Sequence, residues 1–370
     1  MKVSVTSRDF AGTAKGINLE LKANSLELSV YGGPAAASIT VRGGALELWE
    51  VLEWLRCPVM VSSDDGERLW WGFVSEVRVR ENALEVGATI DSMCNAVAVA
   101  YSYVEPGSQV VGTRKTTSWV TDAESIAEFG RKDFLSSQDG MSDATAEARR
   151  DAILAARRWP QAPPMQTSGM MPRGRVRYSG AKKSMSATIY CRGWWSTLGW
   201  RMASVSGTTD TATTTQISNL VSTYGALITS TSIEAASGIS SSEYRDGDSD
   251  ALTEILGLMG SGGANGRRLL ATVDEYRRLY IYEEPAITTV EYGLNSHGVV
   301  LYRGQQIREA KAPVGEWIRM LGVIPGNVDQ SKLISPETQF VEGASWSDSS
   351  GMRLKFRGQP SIEEMGKVQR

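Results

Sequence analysis

"RLWWGFVSEVRVRENALEVGATID", residues 68 to 91, alternates between apolar and polar positions over most of its length. Leu69, Trp71, Phe73, Val77 and Val79 fall on one face and Glu76, Arg78 and Arg80 on the other, the period-two signature of a half-buried strand. The run breaks at Glu81-Asn82 and resumes with Leu84, Val86, Ala88 and Ile90, which predicts a hairpin carrying both apolar sets inside. A β-sheet with one buried face is therefore the expected core of residues 1–105.

The flanking sequence extends that sheet. In "NLELKANSLELSV" (18–30), Leu19 and Leu21, then Leu26, Leu28 and Val30, alternate on either side of Ala23-Asn24, which predicts another hairpin turning there. "ALELWEVLEWLR" (45–56) places Leu48, Leu52 and Leu55 at helical intervals and Glu47, Glu50 and Glu53 elsewhere, so an amphipathic helix is expected to cross the sheet. Residues 1–105 read as a small β-barrel or sandwich with a helix.

Residues 106–180 read as a helix-containing connection. "SDATAEARRDAILAARRWPQAPP" (142–164) predicts a helix capped by Ser142 or Asp143 and ended by Pro160. "QAPPMQTSGMMPRGRVRYSGAKK" (161–183) then reads as extended chain. In residues 181–290 strand signals return at "SATIYCRG" (186–193), followed by two helices. One carries Ile217, Leu220, Val221 and Tyr224 behind a Thr214 or Thr215 cap. The other carries Leu252, Ile255, Leu256 and Met259 behind a cap within Asp248 to Asp250 and stops at the glycines of "GSGGANG" (260–266). "GFVSEVRVRENALEV" (72–86) and "ATVDEYRRLYIYEEP" (271–285) echo one another, which leaves duplication and the chance likeness of hairpins both open. Residues 291–370 read as β-rich, with a short helix over "APVGEWIRMLGVIPG" (312–326) and a strand in the final "GMRLKFRGQPSIEEMGKVQR" (351–370).

Composition narrows the function. A length of 370 residues implies two or three domains. A net charge of -3 gives no field for wholesale binding to nucleic acid or anionic membrane, and no sequence-specific nucleic-acid contact is expected. The N-terminal "MKVSVTSRDFAGTAKG" lacks an apolar core, and no run approaches the roughly 20 apolar residues of a membrane span, so neither secretion by a signal peptide nor membrane insertion is expected. Cys57, Cys94 and Cys191 are scattered and odd in number, which fits reduced thiols in a cytosol.

Catalytic patterns are poor, and no catalytic, cofactor-binding or metal residue is expected. His297, the single histidine, stands in the turn-like "YGLNSHGVV". Asp246, Asp248 and Asp250 begin like an EF-hand loop, yet Ala251 stands where glycine belongs and Gly257 where the closing glutamate belongs, so helix capping is the better reading. "GSGGANGRR" lacks the phosphate-loop lysine. Glu283 and Glu284 are adjacent on a predicted strand and face opposite ways, a poor pair for glycoside hydrolysis. Of Trp70-Trp71 and Trp194-Trp195, one ring of each pair is expected in the core. The predicted helix from 143 to 158 is rich in alanine and carries Arg149, Arg150, Arg157 and Arg158, which reads as a surface helix offering its arginines to a neighbour's carboxylates. With Arg173, Arg175 and Arg177 in the following loop, these are the candidate subunit contacts.

Several stretches together resemble a known family: "VYGGPAAASITVRGG" (30–44), "LRCPVMVSSDDGERLWWGFVSEV" (55–77), "TTSWVTDAESIAEFGRKDF" (116–134), "DAILAARRWPQAPP" (151–164), "GWWSTLGWRM" (193–202), "YRDGDSDALTEILGLM" (244–259) and "GRRLLATVDEYRRLYIYEEP" (266–285). They are similar to tail-tip or baseplate-hub proteins of tailed bacteriophages, the late-control and hub-like family, and span residues 28 to 290. In that family an "SI-x-E-[FY]-G" stretch follows the first barrel, which implies a structural turn at Ile126, Phe129 and Gly130. The resemblance implies an α+β, mainly β fold of two tail-tube-like β-barrel or sandwich units with packed helices and long connections. It further implies a homotrimeric hub at the virion tail tip, made in the host cytoplasm, with the tail-tube ring above, a tip fibre protein below and no cofactor. A carbohydrate-binding tail adhesin and a tail-associated cell-wall hydrolase stay open as alternatives.

Overall fold

A computed structural model describes residues 1–81, 84–103, 112, 114–162, 185–207, 209–234, 239–285, 290–294, 300–302, 305–306, 313–321 and 338–357. The fold is α+β and mainly β.

The hairpin read from residues 68–91 is present. Strand Arg68–Glu81 turns back into Leu84–Thr89, with Glu81 opposite Leu84 and Glu76 opposite Thr89. Its other partner comes from far along the chain. Strand Met185–Arg192 lies between Tyr31–Arg42 and Arg68–Glu81, and Ile189 sits opposite Ile39 on one side and Val77 on the other. All three side chains are fully buried. Each contributes about 1.5–3 kcal/mol of apolar burial, which favours this register over a one-residue slip that would turn every side chain to the opposite face. The antiparallel order continues outward from Tyr31–Arg42 through Glu20–Ser29, Thr338–Ser347 and Gly351–Phe356, and from Arg68–Glu81 through Pro58–Ser62 to Lys2–Thr6.

Helix α1 (Ala45–Glu50) passes into a 3₁₀ turn, Val51–Trp54, and buries Leu48, Val51, Trp54 and Leu55 against this sheet. A smaller layer follows. Strand Ala96–Tyr103, with Ala96 to Ala100 fully buried, pairs with Arg114–Thr116 and Val120–Thr121, then parallel with Asp133–Met141. Helix α2 (Ala123–Phe129) connects two of these strands, and α3 (Asp143–Arg157) covers the layer by setting Ala146 against Val99, Tyr101 and Met141. Helices α4 (Thr213–Tyr224) and α5 (Ala251–Met259) share one continuous core with the first sheet. The hairpin Leu269–Val273 with Arg278–Glu283 joins strand Tyr31–Arg42 through a parallel pairing of Ala271 with Tyr31.

Several expectations are corrected. Residues 20–29 form one strand, and Ala23-Asn24 is a bulge within it, seen as a register shift between Ala23 and Ser25. The bulge explains the parity change, since Ala23 and Leu26 are both buried and Asn24 bonds Thr40 at 2.9 Å. Trp70 is the fully buried ring and Trp71 is half-buried, donating to the Val273 carbonyl at 2.8 Å. A second bulge at Ser75, between Val74 and Glu76 in the pairing with Met185–Arg192, shifts the parity of that strand. Val86 is 38% exposed rather than inside. Helix α4 is preceded by Ala212, without a side-chain cap. The short helix expected over 312–326 is replaced by strand Trp317–Leu321, which pairs with Val290–Leu294 and Thr338–Ser347 around the buried Ile318. Gly315, at φ 84°, turns the chain into that strand, so the leading Pro313 starts no helix. Residues 322–326 lie outside the described residues.

The strand pairings run across the boundaries read at 105, 180 and 290. Met185–Arg192 and Thr338–Ser347 both complete the first sheet, and the described part of residues 106–180 adds strands and helices to Ala96–Tyr103 in an α/β layer.

Candidate functional site

Helix α3 was the leading candidate surface. Ser142 caps it, accepting from the Thr145 amide at 3.3 Å, as expected. Of its four arginines, one is buried. Arg150 is 9% exposed and donates to Ser118 Oγ at 3.0 Å and Asp151 Oδ1 at 2.9 Å, so it holds the layer together and is not offered outward. Arg157 donates to the Ser92 carbonyl at 2.8 Å and lies 4.7 Å over the Phe134 ring. Arg158 pairs with Asp122 at 3.1 Å. Arg149, 3.4 Å from Ser136 Oγ, and Arg158 are both exposed. The helix is short of large apolar residues because its guanidinium groups do part of the docking. Arg173, Arg175 and Arg177 lie outside the described residues, as does His297.

The stretch "AESIAEFGRKDF" (123–134) is where the parts of the molecule meet. Asp122 caps α2 by accepting from the Ser125 amide at 2.9 Å, and its second oxygen holds Arg158. Ser125 Oγ donates to the Arg158 carbonyl at 2.5 Å. Gly130, at φ 83°, ends the helix in a conformation that a side chain would strain. Asn95, fully buried, donates to the Gly130 carbonyl at 2.9 Å and Ser125 Oγ at 3.2 Å and accepts from the Lys132 amide at 2.7 Å. The chain then enters strand Asp133–Met141 and after it helix α3.

Two charged residues of this stretch carry the junction. Lys132 donates to the carbonyls of Ile90 and Asp91, both at 2.6 Å, and lies 5.7 Å from the Trp200 ring. Burial pushes its pKa down to about 8 while Asp91 raises it, and the two carbonyls keep an ammonium well satisfied at neutral pH. The Asp133 side chain is 2% exposed. It accepts from Arg131 at 2.7 Å, Arg201 at 3.2 Å and the Met202 amide at 3.0 Å, tying the middle layer to the segment after Trp200. Sequence reasoning missed both. The available signal was a basic pair followed by aspartate, directly before a strand, and its partners lie too far along the chain to be read from spacing.

The other patterns resolve individually. Asp250 caps α5, accepting from the Thr253 amide at 2.9 Å, Asp248 pairs with Arg114 at 2.5 Å, and Asp246 accepts from the Asp248 amide at 3.0 Å. The three carboxylates are thus engaged separately. Asp250→Ala is expected to lower the free energy of unfolding by about 1 kcal/mol, read from urea denaturation, and chelator is expected to leave the midpoint unchanged. A lower midpoint in chelator would return the stretch to a metal reading.

Glu283 and Glu284 look away from each other. Glu283 accepts from the Asn265 amide at 2.8 Å and side chain at 2.7 Å, and these donors hold its carboxyl below the usual range. Glu284 joins Glu342, Arg268 and Arg357 in a network beside Phe340 and Trp317. Trp194 is buried at 3%, in line with expectation, and Trp195 is half-buried over Gly32. Among the described residues no three His, Cys, Asp or Glu side chains converge as a metal site, and no helix is long and apolar enough to cross a membrane. The three cysteines are free and buried.

No family profile matches the chain, and neither does any curated protein. Solved structures similar to it include the 43 kDa tail protein of prophage MuSo2 from Shewanella oneidensis, at 9% identity and TM-score 0.42, over 96% of this chain and 97% of that one. A tail protein from Neisseria meningitidis MC58 matches at 9% identity and TM-score 0.42, over 96% and 95%. A prophage tail protein from Listeria monocytogenes EGD-e matches at 10% identity and TM-score 0.31, over 50% of this chain and 78% of that one.

Proposed function

We propose that the chain is a structural component of a bacteriophage tail tip, forming the hub ring that joins the tail tube to the distal tip or fibre proteins. The observation that carries this reading is the use made of residues 123–134. The stretch follows the hairpin of residues 68–89 in the chain, and its cap, its buried Phe129 and its charged groups at Lys132 and Asp133 are spent on joining layers of the molecule. Residues used in this way make scaffold.

Open sheet edges support assembly with neighbours. Among the described residues, Ser230–Ile233 pairs only with Arg278–Glu283, and Gly351–Phe356 only with Thr338–Ser347. An unpaired edge recruits another chain unless it is blunted. Exposed Arg353 and Lys355 blunt the second edge, whereas Ser230–Ile233 carries no charge. A homotrimer in the virion, with a tail-tube ring above and a fibre protein below, is the arrangement we propose. The exposed Arg149 and Arg158 stay candidate contacts at α3.

Light scattering on the purified protein and images of the intact particle test this. The expected result is a ring of three copies at the tail end. A single compact copy in the intact particle overturns the hub reading.

A further inference from the structure

Two arginines from distant parts of the chain meet at Phe10, and Arg8, whose guanidinium lies 4.7 Å over Phe129, adjoins them. The guanidinium carbon of Arg277 lies 3.7 Å from the ring centroid and that of Arg56 lies 5.6 Å from it. Arg56 donates to the Arg8 carbonyl at 2.7 Å, and Arg8 donates to the carbonyls of Leu55 at 2.8 Å and Glu53 at 2.6 Å. Phe10, Arg56 and Arg277 all hold left-handed backbone, at φ 62°, 65° and 66°. Such geometry is unfavourable for side-chain-bearing residues, and its clustering is a property of binding sites more than of plain scaffold.

The charge here does not balance. Among the described residues Glu128 is the carboxylate that meets the group, and it binds Arg8. Asp9 turns into its own loop, accepting from Ser7 Oγ at 2.5 Å and the Ala11 amide at 3.0 Å, and Glu275 is held by Arg68. Three guanidinium groups against one carboxylate leave a formal charge of 3 − 1 = +2. Arg56 is 8% exposed, and its Nε has no acceptor among the described residues. Burial first, then repulsion from Arg8 and Arg277, push its pKa down to about 10 against the pull of Cys57 and Glu128, so it stays charged at neutral pH.

Arg277 alone of the three lines a cleft of about 100 Å³, together with Ser4, Thr6, Phe10, Trp194 and Glu275 among others. That is room for a few waters or for one small tetrahedral anion. Among the described residues Arg277 spends one donor on the Leu227 carbonyl at 3.2 Å, and the rest of its fork is left for a ligand.

We propose that this cleft binds a small divalent oxyanion of the phosphate class, held by the Arg277 fork with Arg56 and Arg8 supplying positive charge from behind Phe10. A dianion neutralises the +2 excess, and a tetrahedral oxyanion accepts the paired donors that guanidinium offers. The inference does not depend on the tail reading.

The test is thermal unfolding of the full chain in inorganic phosphate against chloride at matched ionic strength. Phosphate at high concentration stabilises proteins generally by exclusion, so the reading is a saturable rise of a few degrees at low millimolar phosphate. Arg277→Gln is expected to weaken the apparent affinity by at least about tenfold, while Arg278→Gln, whose guanidinium is bound to Asp274, keeps it. Should Arg277→Gln fail to fold, calorimetric titration of phosphate into the unmodified chain and into Arg277→Lys replaces it, with heat expected in the first and a weaker site in the second. Equal midpoints in phosphate and chloride, or an Arg277 variant with undiminished phosphate affinity, overturn the proposal. The second outcome assigns any shift to an adventitious ion only.

Discussion

Replacing Asp133 by alanine is expected to lower the free energy of unfolding by about 3 kcal/mol, near the low end of the range for breaking a buried ion pair. The carboxylate is 2% exposed, and its removal strands three donors at once: Arg131, Arg201 and the Met202 amide. The value stays near the low end because the side chains of Arg131 and Arg201 are 33% and 19% exposed and partly recover water. Asp133→Asn separates charge from shape, since the amide still accepts one bond, and is expected to lose less. Urea denaturation of the two variants measures both. If Asp133→Ala unfolds at the unmodified midpoint, the junction through residues 123–134 contributes little, and the scaffold argument built on it fails.

A comparable loss, about 3–5 kcal/mol, is expected for Phe73→Ala. Phe73 is 1% exposed and packs 5.2 Å from Trp194 and 5.6 Å from Trp200, ring centroid to centroid. Both tryptophans belong to the 3₁₀ segment Trp194–Trp200, so the phenyl ring joins the first sheet to the segment that leads into the second half of the chain. The cavity cannot close easily. Gly72 and Gly193, on either side of this contact, lie against backbone: a Cβ at Gly72 would meet the Arg192 carbonyl oxygen at 2.1 Å and one at Gly193 the Pro34 carbonyl oxygen at 1.7 Å. Thermal unfolding checks this, and a loss below about 1 kcal/mol would mean that the tryptophans collapse into the space.

The hairpin at 68–91 and helices α1, α3 and α5 were legible because their signals are local. Period, cap and stop lie within one element, as with Ser142 before α3 or Asp250 before α5. The parity errors at Ala23-Asn24 and Trp70-Trp71 come from bulges, where one inserted residue reverses the face and imitates a turn or swaps a pair. Trp317–Leu321 was misread because a proline-led apolar run of this length suits a helix as well as a buried strand. The candidate arginines were legible as charges and illegible as contacts: Arg150 and Arg158 find partners 32 and 36 residues away, and nothing in the sequence pairs them. Asp133, Arg56 and Arg277 stayed hidden for the same reason.

The placement of Met185–Arg192 between two strands made long before it has a consequence for synthesis. When residue 105 has left the ribosome, Tyr31–Arg42 and Arg68–Glu81 lack the strand that separates and joins them, and Glu20–Ser29 still waits for Thr338–Ser347. At ~5–20 residues per second the first gap, from 105 to 185, stays open for about 4 to 16 seconds, much longer than the collapse of a chain of this size takes. Ile39 and Val77 therefore wait about 150 and 112 residues of synthesis for Ile189, the side chain that finally covers them. The nascent chain passes through a state rich in unpaired strands, and its first sheet is complete only once Thr338–Ser347 has been translated.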